Sequence, residues 1–114
     1  MMADDRTGQI AVVFVSIRND ADADAVGYGE AAAAMDALAA EQSGYRGVDT
    51  TRDENGTGIT VSYWADDAAA IAWRDHPEHT AIRERGRALW YDSYSVTVAR
   101  VERGYAWVRP GSAR

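Results

Sequence analysis

The sequence predicts a single α+β domain with the element order β-α-β-β-α-β. Segments with strand-like patterns alternate with helical segments in this order, and the chain of 114 residues is long enough for one domain. Apolar residues make up 46% of the chain, so a hydrophobic core can form. The element order is the ferredoxin-like pattern, in which helices cover one face of an antiparallel sheet.

The first strand, predicted over Gln9–Arg18, is apolar on both faces because residues 10–15 are all apolar. A strand of this kind is covered on both sides. The helices cover one side, and the chain has no further element for the other. We therefore expect a homodimer that pairs through its sheets as a dimeric α/β barrel, with roughly 1,000 Å² or more buried per partner. The alternative is a monomer whose open face is polar enough to contact water.

The other elements follow from caps, turns and periodicity. Gly44 is suited to a left-handed cap at the end of the first helix, and Asp53–Gly56 predicts a hairpin turn. Pro77 interrupts the second helical region. The predicted elements are a loop and helix start at Asn19–Asp24, a helix at Tyr28–Gln42, strands at Tyr45–Arg52 and Thr57–Trp64, a helix from Asp66 or Asp67 to about His76, a helix at Glu78–Arg87 and a strand at Trp90–Arg103.

The domain is predicted to span residues 9–107, between an extended or disordered segment at 1–8 and a tail at 108–114. Tyr105 and Trp107 are possible anchors of the chain beyond the last strand. Net charge is −6 and no basic stripe is visible, so we expect no nucleic-acid partner. No apolar run is long enough for a membrane span and no export signal is visible, which predicts a cytoplasmic protein. The absence of cysteine excludes thiolate chemistry.

The third strand alternates clearly, which assigns its residues to two faces. We expect Ile59, Val61 and Tyr63 to point toward the helices. Thr60, Ser62 and Trp64 then point toward the dimer partner. Tyr63 and Trp73 can line a cavity between sheet and helices that suits a flat aromatic molecule.

Two histidines, His76 and His79, stand three residues apart beside Pro77. A shared metal is one interpretation, but no further ligand follows at suitable spacing, and we predict no metal. His79 shares a helix face with Ile82, so it points inward. It is either a proton carrier for a ligand or a core histidine bonded to a backbone carbonyl.

Two arginines follow His79 along the predicted helix. Arg83 and Arg87 lie near the His79 edge, where they can meet an anionic group. The alternative is a charged helix face in contact with water.

Several motifs together resemble the antibiotic biosynthesis monooxygenase-like domains. The likeness extends from about Ile10 to Trp107 and implies dimeric α/β barrels. It is closest to a bacterial subgroup of mostly uncharacterised members. The motifs are Gly58-Ile59-Thr60-Val61-Ser62-Tyr63-Trp64, Ile71-Ala72-Trp73-Arg74, His76-Pro77-Glu78-His79, Gly86-Arg87-Ala88-Leu89-Trp90-Tyr91, Tyr94 and Val101-Glu102-Arg103-Gly104-Tyr105.

The resemblance implies two kinds of chemistry. Some members degrade haem with an asparagine on strand one, a tryptophan and a later histidine. Trp73 is similar to that tryptophan, whereas Arg83 stands at the histidine position and Ser16 near the asparagine position. Other members oxidise phenols to quinones without a cofactor.

We expect the second kind of chemistry, a monooxygenase-like reaction on a small aromatic or quinone-like metabolite without metal or flavin. His79 is the expected base and Trp73 stacks on the substrate ring. Arg83 or Tyr63 steadies the anion. A haem-binding or haem-degrading protein and a non-catalytic dimer that binds a small apolar ligand are the alternatives.

Overall fold

The computed structural model describes residues 5–19 and 27–111. Most of the predicted loop and helix start at Asn19–Asp24 lies outside the described residues, as do the ends of both terminal segments. The elements, in chain order, are β1 (Ile10–Arg18), α1 (Tyr28–Ala40), β2 (Tyr45–Arg52), β3 (Thr57–Trp64), α2 (Asp67–Arg74), α3 (Pro77–Arg85), a π-helical turn (Gly86–Trp90) and β4 (Tyr91–Arg100).

The four strands form one antiparallel sheet in the order β2-β3-β1-β4. This arrangement confirms the predicted ferredoxin-like α+β fold. β1 lies inside the sheet with a strand on each side, which explains why it is the most apolar strand. Nothing in the described part of the chain is a helix long and apolar enough to cross a membrane.

The end of α1 differs from the prediction. The helix stops at Ala40 rather than Gln42, and Gly44 is not among the described glycines with positive φ, so the expected left-handed cap is wrong. Gly44 is buried, and a Cβ placed there would lie 2.1 Å from the Cβ of Ala69. Gly44 is therefore required for the close approach of α2, not for a turn of the backbone.

The second helical region consists of two helices, α2 and α3, and each begins at a side-chain cap. Asp66 Oδ1 accepts from the backbone N–H of Ala69 at 2.8 Å, which confirms one of the two predicted caps. His76 caps α3, and Pro77 takes its first position as expected. Trp90 belongs to the π-helical turn and is 2% exposed, so β4 begins one residue later than predicted and ends at Arg100, three residues earlier.

The predicted assignment of the two sheet faces is wrong. Ile10 pairs directly with Trp64, so the two side chains share a face. Trp64 is fully buried and stacks on Trp73 of α2, which puts its face under the helices. Tyr63 therefore lies on the open face, where the guanidinium of Arg6 is 3.7 Å from its ring centroid. Strand alternation separates the two sets of residues but does not say which set the helices cover.

The helices cover the sheet unevenly. Ile10, Trp64 and Trp73 form the main core beneath α2. α3 packs mainly against α2 and the π-helical turn, not against the sheet. Val96 and Val98 of β4 pair with helix-side residues of β1, yet they are 52% and 57% exposed. An apolar strip of the helix side is thus left uncovered.

Candidate active site

Three aromatic rings stack from the sheet outward. Trp64 of β3 and Trp73 of α2 have ring centroids 5.8 Å apart with an interplanar angle of 22°. The imidazole of His79 lies 4.3 Å from the Trp73 ring at 13°. Trp64 also donates its indole N–H to Ser62 Oγ at 2.9 Å. The stack fixes the plane of His79 from one side, so its position depends on packing rather than on a flexible loop.

The hydrogen bond of His79 determines its tautomer. Nδ1 lies 2.9 Å from the backbone carbonyl oxygen of Trp73. A carbonyl oxygen only accepts, so Nδ1 carries the proton and donates it. In the neutral ring, Nε2 is then the atom with the free lone pair, which is the form a general base requires.

The surroundings of His79 favour its neutral form. Burial is the main cause that lowers its pKa, and the charges of Arg83 and His76 lower it further. The hydrogen bond to the Trp73 carbonyl opposes this shift only in part. Near pH 7, His79 is therefore an uncharged imidazole. The bond to a carbonyl fits one of the two alternatives raised by the sequence, and the described residues show no hydrogen bond to Nε2.

Arg83 lies beside His79, close enough for its charge to lower the pKa of that residue. Its Nη1 donates to the carbonyl of Arg74 at 3.3 Å, and its Nη2 donates to Thr80 Oγ1 at 3.4 Å. Both bonds are long and leave donors free, so the guanidinium can turn toward an anion.

Arg87 is placed differently from Arg83. Its Nε donates to Tyr94 OH at 2.6 Å, which ties it to β4. The structure thus separates the two arginines that the sequence grouped together, and it leaves Arg83 as the one beside His79.

The incompletely covered helix-side surface of β1 and β4 is apolar and aromatic. We call it the helix-side strip and define it by Phe14, Tyr94, Val96 and Val98. The Phe14 ring lies 5.3 Å from Tyr94 and 5.7 Å from Tyr91. The alternation of Tyr94, Val96 and Val98 along β4 is the sequence signal that could have identified this strip.

Tyr63 and His76 lie apart from the predicted site or have local partners. Tyr63 is on the opposite face from Trp73 and His79, and its hydroxyl donates to Asp49 at 3.4 Å. His76 uses Nδ1 to accept from the backbone N–H of Glu78 at 3.2 Å. In the ranges 5–19 and 27–111, no three His, Cys, Asp or Glu side chains form a group that could hold a metal ion.

Fold and site define a ferredoxin-like protein with a neutral histidine and an aromatic strip on the helix side of its sheet. The family described as antibiotic biosynthesis monooxygenase matches residues 9–85. The chain belongs to this family, as its motifs predicted.

Relatives agree with this placement. The chain is 50% identical over 93 residues to the uncharacterized protein YqjZ of Bacillus subtilis (strain 168), covering 82% of this chain and 79% of that protein. It is similar in fold to a mutant of SnoaB, a cofactor-independent oxygenase from Streptomyces nogalater (TM-score 0.70, 16% identity, 83% of this chain and 94% of that chain). Rv0793 from Mycobacterium tuberculosis is similar too (TM-score 0.69, 19% identity, 91% and 99%).

Proposed function

We propose that this protein is a monooxygenase-like enzyme that oxidises a small aromatic phenol or hydroquinone with O₂ and without metal or flavin. The observation that carries the proposal is the tautomer of His79, whose Nδ1–H is held by a carbonyl while Nε2 keeps its lone pair. The aromatic helix-side strip lies on the same side of the sheet. The cofactor-independent oxygenase SnoaB, which shares the fold, supports the same chemistry.

The reaction begins with proton transfer from the phenol to Nε2 of His79. The resulting anion is rich in electrons and reduces O₂, and oxygen then bonds to a ring carbon. Loss of the hydrogen on that carbon converts it to a carbonyl, and the second oxygen atom leaves as water. The substrate loses two hydrogens and gains one oxygen, so the quinone and one water account for all atoms.

Proton transfer to His79 is uphill without help from a cation. An ordinary phenol has a pKa of about 10, and the pKa of His79 lies below its usual value of about 6.5. The difference of about 3.5 units or more corresponds to roughly 5 kcal/mol. Arg83 is the cation nearest to His79, and its free donors would stabilise the phenolate oxygen.

Trp73 has a separate role in this proposal. It is 9% exposed, and its ring is stacked between Trp64 and His79. It therefore holds the imidazole plane, so it positions the base and does not transfer a proton itself. This differs from direct stacking on the substrate, because both broad faces of its ring already have neighbours.

Haem is the alternative ligand that family members suggest. Arg83 stands where the haem-degrading pattern has histidine, and His79 Nε2 would be the remaining imidazole ligand. Titration with haemin tests this alternative. We expect no Soret shift that depends on His79, and a shift that is lost in His79→Gln would favour the haem function.

We further propose a homodimer that pairs through the open face of the sheet. Apolar side chains of β1 and β3 line this face, including Val13, Val15, Val61 and Ile59, and Ile59 is 43% exposed. Tyr105 and Trp107, in the extended segment after β4, are 84% and 67% exposed. A second copy of the chain would cover both features, since the described residues leave Ile59, Tyr105 and Trp107 exposed.

Oxygen uptake tests the enzymatic proposal. The assay uses phenols and hydroquinones of one to three fused rings, with a chelator and no added flavin. We expect turnover that falls about a hundredfold or more in His79→Gln, because a general base contributes 10²–10⁴-fold. Trp73→Phe should also lower the rate, whereas His76→Gln should keep it.

Two results would overturn the enzymatic proposal. Unchanged oxygen uptake in both His79→Gln and Trp73→Phe would show that His79 is not the base and that Trp73 does not position it. Tight binding of a panel member with no uptake above the rate without protein would indicate a non-catalytic binding dimer.

A further inference from the structure

Arg52 crosses the helix side of the sheet above Gly58. A Cβ at Gly58 would lie 2.4 Å from the guanidinium carbon of Arg52, so only glycine leaves room for this path. At the far side, Nη2 of Arg52 donates to Ser16 Oγ at 2.8 Å and to Tyr28 OH at 3.0 Å. Ser16 is fully buried. The sequence thus builds a defined place for this guanidinium, at the opposite end of β1 from the Trp73–His79 stack.

The charge of Arg52 is not balanced by an acid in the part of the chain that the structure describes. Its third hydrogen bond goes to the carbonyl of Gly56, so all three acceptors are neutral oxygens. A guanidinium has five N–H donors, and two therefore remain for another acceptor. Burial of an unpaired charge removes hydration without compensation, so an anion that accepted from these donors would stabilise the half-buried guanidinium.

Other donors surround the same place. The hydroxyls of Tyr28 and Tyr91 are hydrogen-bonded, and burial followed by the neighbouring Tyr28 raises the pKa of Tyr91, so this phenol stays protonated. The indole Nε1 of Trp90 is a buried donor without a partner, and nearby Asn19 Oδ1 is an acceptor without one. A water molecule can bond to both of these atoms, so neither is assigned to the ligand.

We infer that Ser16, Tyr28, Arg52 and Tyr91 form an anion-binding subsite for the carboxylate of an aromatic ligand. The Tyr91 ring contacts Phe14, a residue of the helix-side strip, so a ligand with its carboxylate near Arg52 can place its ring on this strip. The aromatic part of the ligand rests on the proposed function, whereas the anion subsite stands on the contacts of Arg52. The substrate class is thereby narrowed to aromatic acids.

Binding of a matched ligand pair tests the subsite. The probes are 2-naphthoate and its neutral amide, 2-naphthamide, titrated by calorimetry under nitrogen so that oxidation plays no part. We expect the wild type to bind the carboxylate about tenfold or more tightly than the amide, as charged hydrogen bonds allow. Arg52→Gln should abolish this preference. Arg46→Gln, an exposed arginine on the same strand, should keep it.

A purely structural role of Arg52 gives a different pattern. Arg52 would then only tie β2 to β1 and α1, and the wild type would bind acid and amide equally, which would overturn the inference. Retained preference in Arg52→Gln would also overturn it. If Arg52→Gln does not fold, as judged by circular dichroism, Tyr28→Phe removes a single hydroxyl and should reduce the preference severalfold, and an unchanged preference there would count against the subsite.

The subsite and the enzymatic proposal fail separately. His79→Gln should keep the preference for the carboxylate, because the Trp73–His79 stack and Ser16 lie at opposite ends of β1. If the protein consumes no oxygen but still prefers the carboxylate to the amide, the enzymatic proposal is wrong and the subsite stands. If the protein consumes oxygen equally with acids and amides and binds both equally, the subsite is wrong and the enzymatic proposal stands.

Discussion

The packing of His79 determines its protonation state, and the proposed chemistry depends on both. Its ring is held by Trp73 on one side, and its Nδ1–H is held by the Trp73 carbonyl. Both contacts come from one residue six positions earlier, across the break between α2 and α3. Small changes in the α2–α3 junction should therefore shift the position and hydrogen bond of His79 while the fold is still intact.

Burial of His79 predicts a loss of stability in mild acid. Its folded-state pKa is lowered, so the unfolded chain binds the proton more readily, and stability falls as pH drops below the unfolded value of about 6.5. Urea unfolding at pH 7.5 and 5.5 measures this. His79→Gln should lose part of the difference between the two pH values. An equal difference in wild type and His79→Gln would show that the imidazole is not protected.

Gly44 and Gly29 offer a matched pair of glycine substitutions. Gly44→Ala would put a methyl group against Ala69, and we expect it to cost about 1–3 kcal/mol of unfolding free energy. Gly29 lies in α1 with open space around it, so Gly29→Ala should stabilise by up to about 1 kcal/mol. Thermal or urea unfolding measures both. A neutral Gly44→Ala would mean that α2 can move away at little cost.

Single residues also mark what the sequence could predict of the site. The inward position of His79 followed from helix periodicity. The roles of Trp64 and Tyr63 did not, because adjacent residues of a strand face opposite sides and either set can fill a core. Arg52 was not predicted as a site residue at all. Its contacts depend on Gly58, which lies close to the hairpin turn. That Arg52 stands opposite Gly58 is visible only once β2 and β3 are paired.

At the scale of elements, strands and turns were predictable and helix ends less so. β2 and β3 begin and end as predicted, because Asn55-Gly56 determines the hairpin between them. The π-helical turn at Gly86–Trp90 has no distinct pattern, and it formed part of a helix and a strand in the prediction. Its shape follows from the packing of Trp90 on Ala31 and Tyr28, which are distant in sequence.

The start of α2 provides a test of an element by its cap. Asp66→Ala removes the acceptor for the Ala69 N–H and should lower the unfolding free energy by about 1 kcal/mol. Asp67→Ala changes the next residue without removing this bond, so its effect should be smaller. Chemical denaturation of both variants measures the difference. Equal losses would indicate that charge near the helix start, and not the cap bond, stabilises α2.

For the whole molecule, the two faces of the sheet have different proposed uses. Val15 lies on the open face, and Val98 lies on the helix side with 57% of its surface exposed. Val15→Glu should convert the proposed dimer to monomer, because a charge would be buried between the sheets. Val98→Glu should remain a dimer. Sedimentation velocity measures both, and a dimeric Val15→Glu variant would place the contact elsewhere.

The most direct test of this division is a crystal structure of the protein with 2-naphthol under anaerobic conditions. The account predicts one naphthol per chain between α3 and β4, with its hydroxyl within hydrogen-bond distance of His79 Nε2, and a second copy of the chain on the open face. Naphthol bound between two open faces, or a second copy seated over Val96 and Val98, would contradict it.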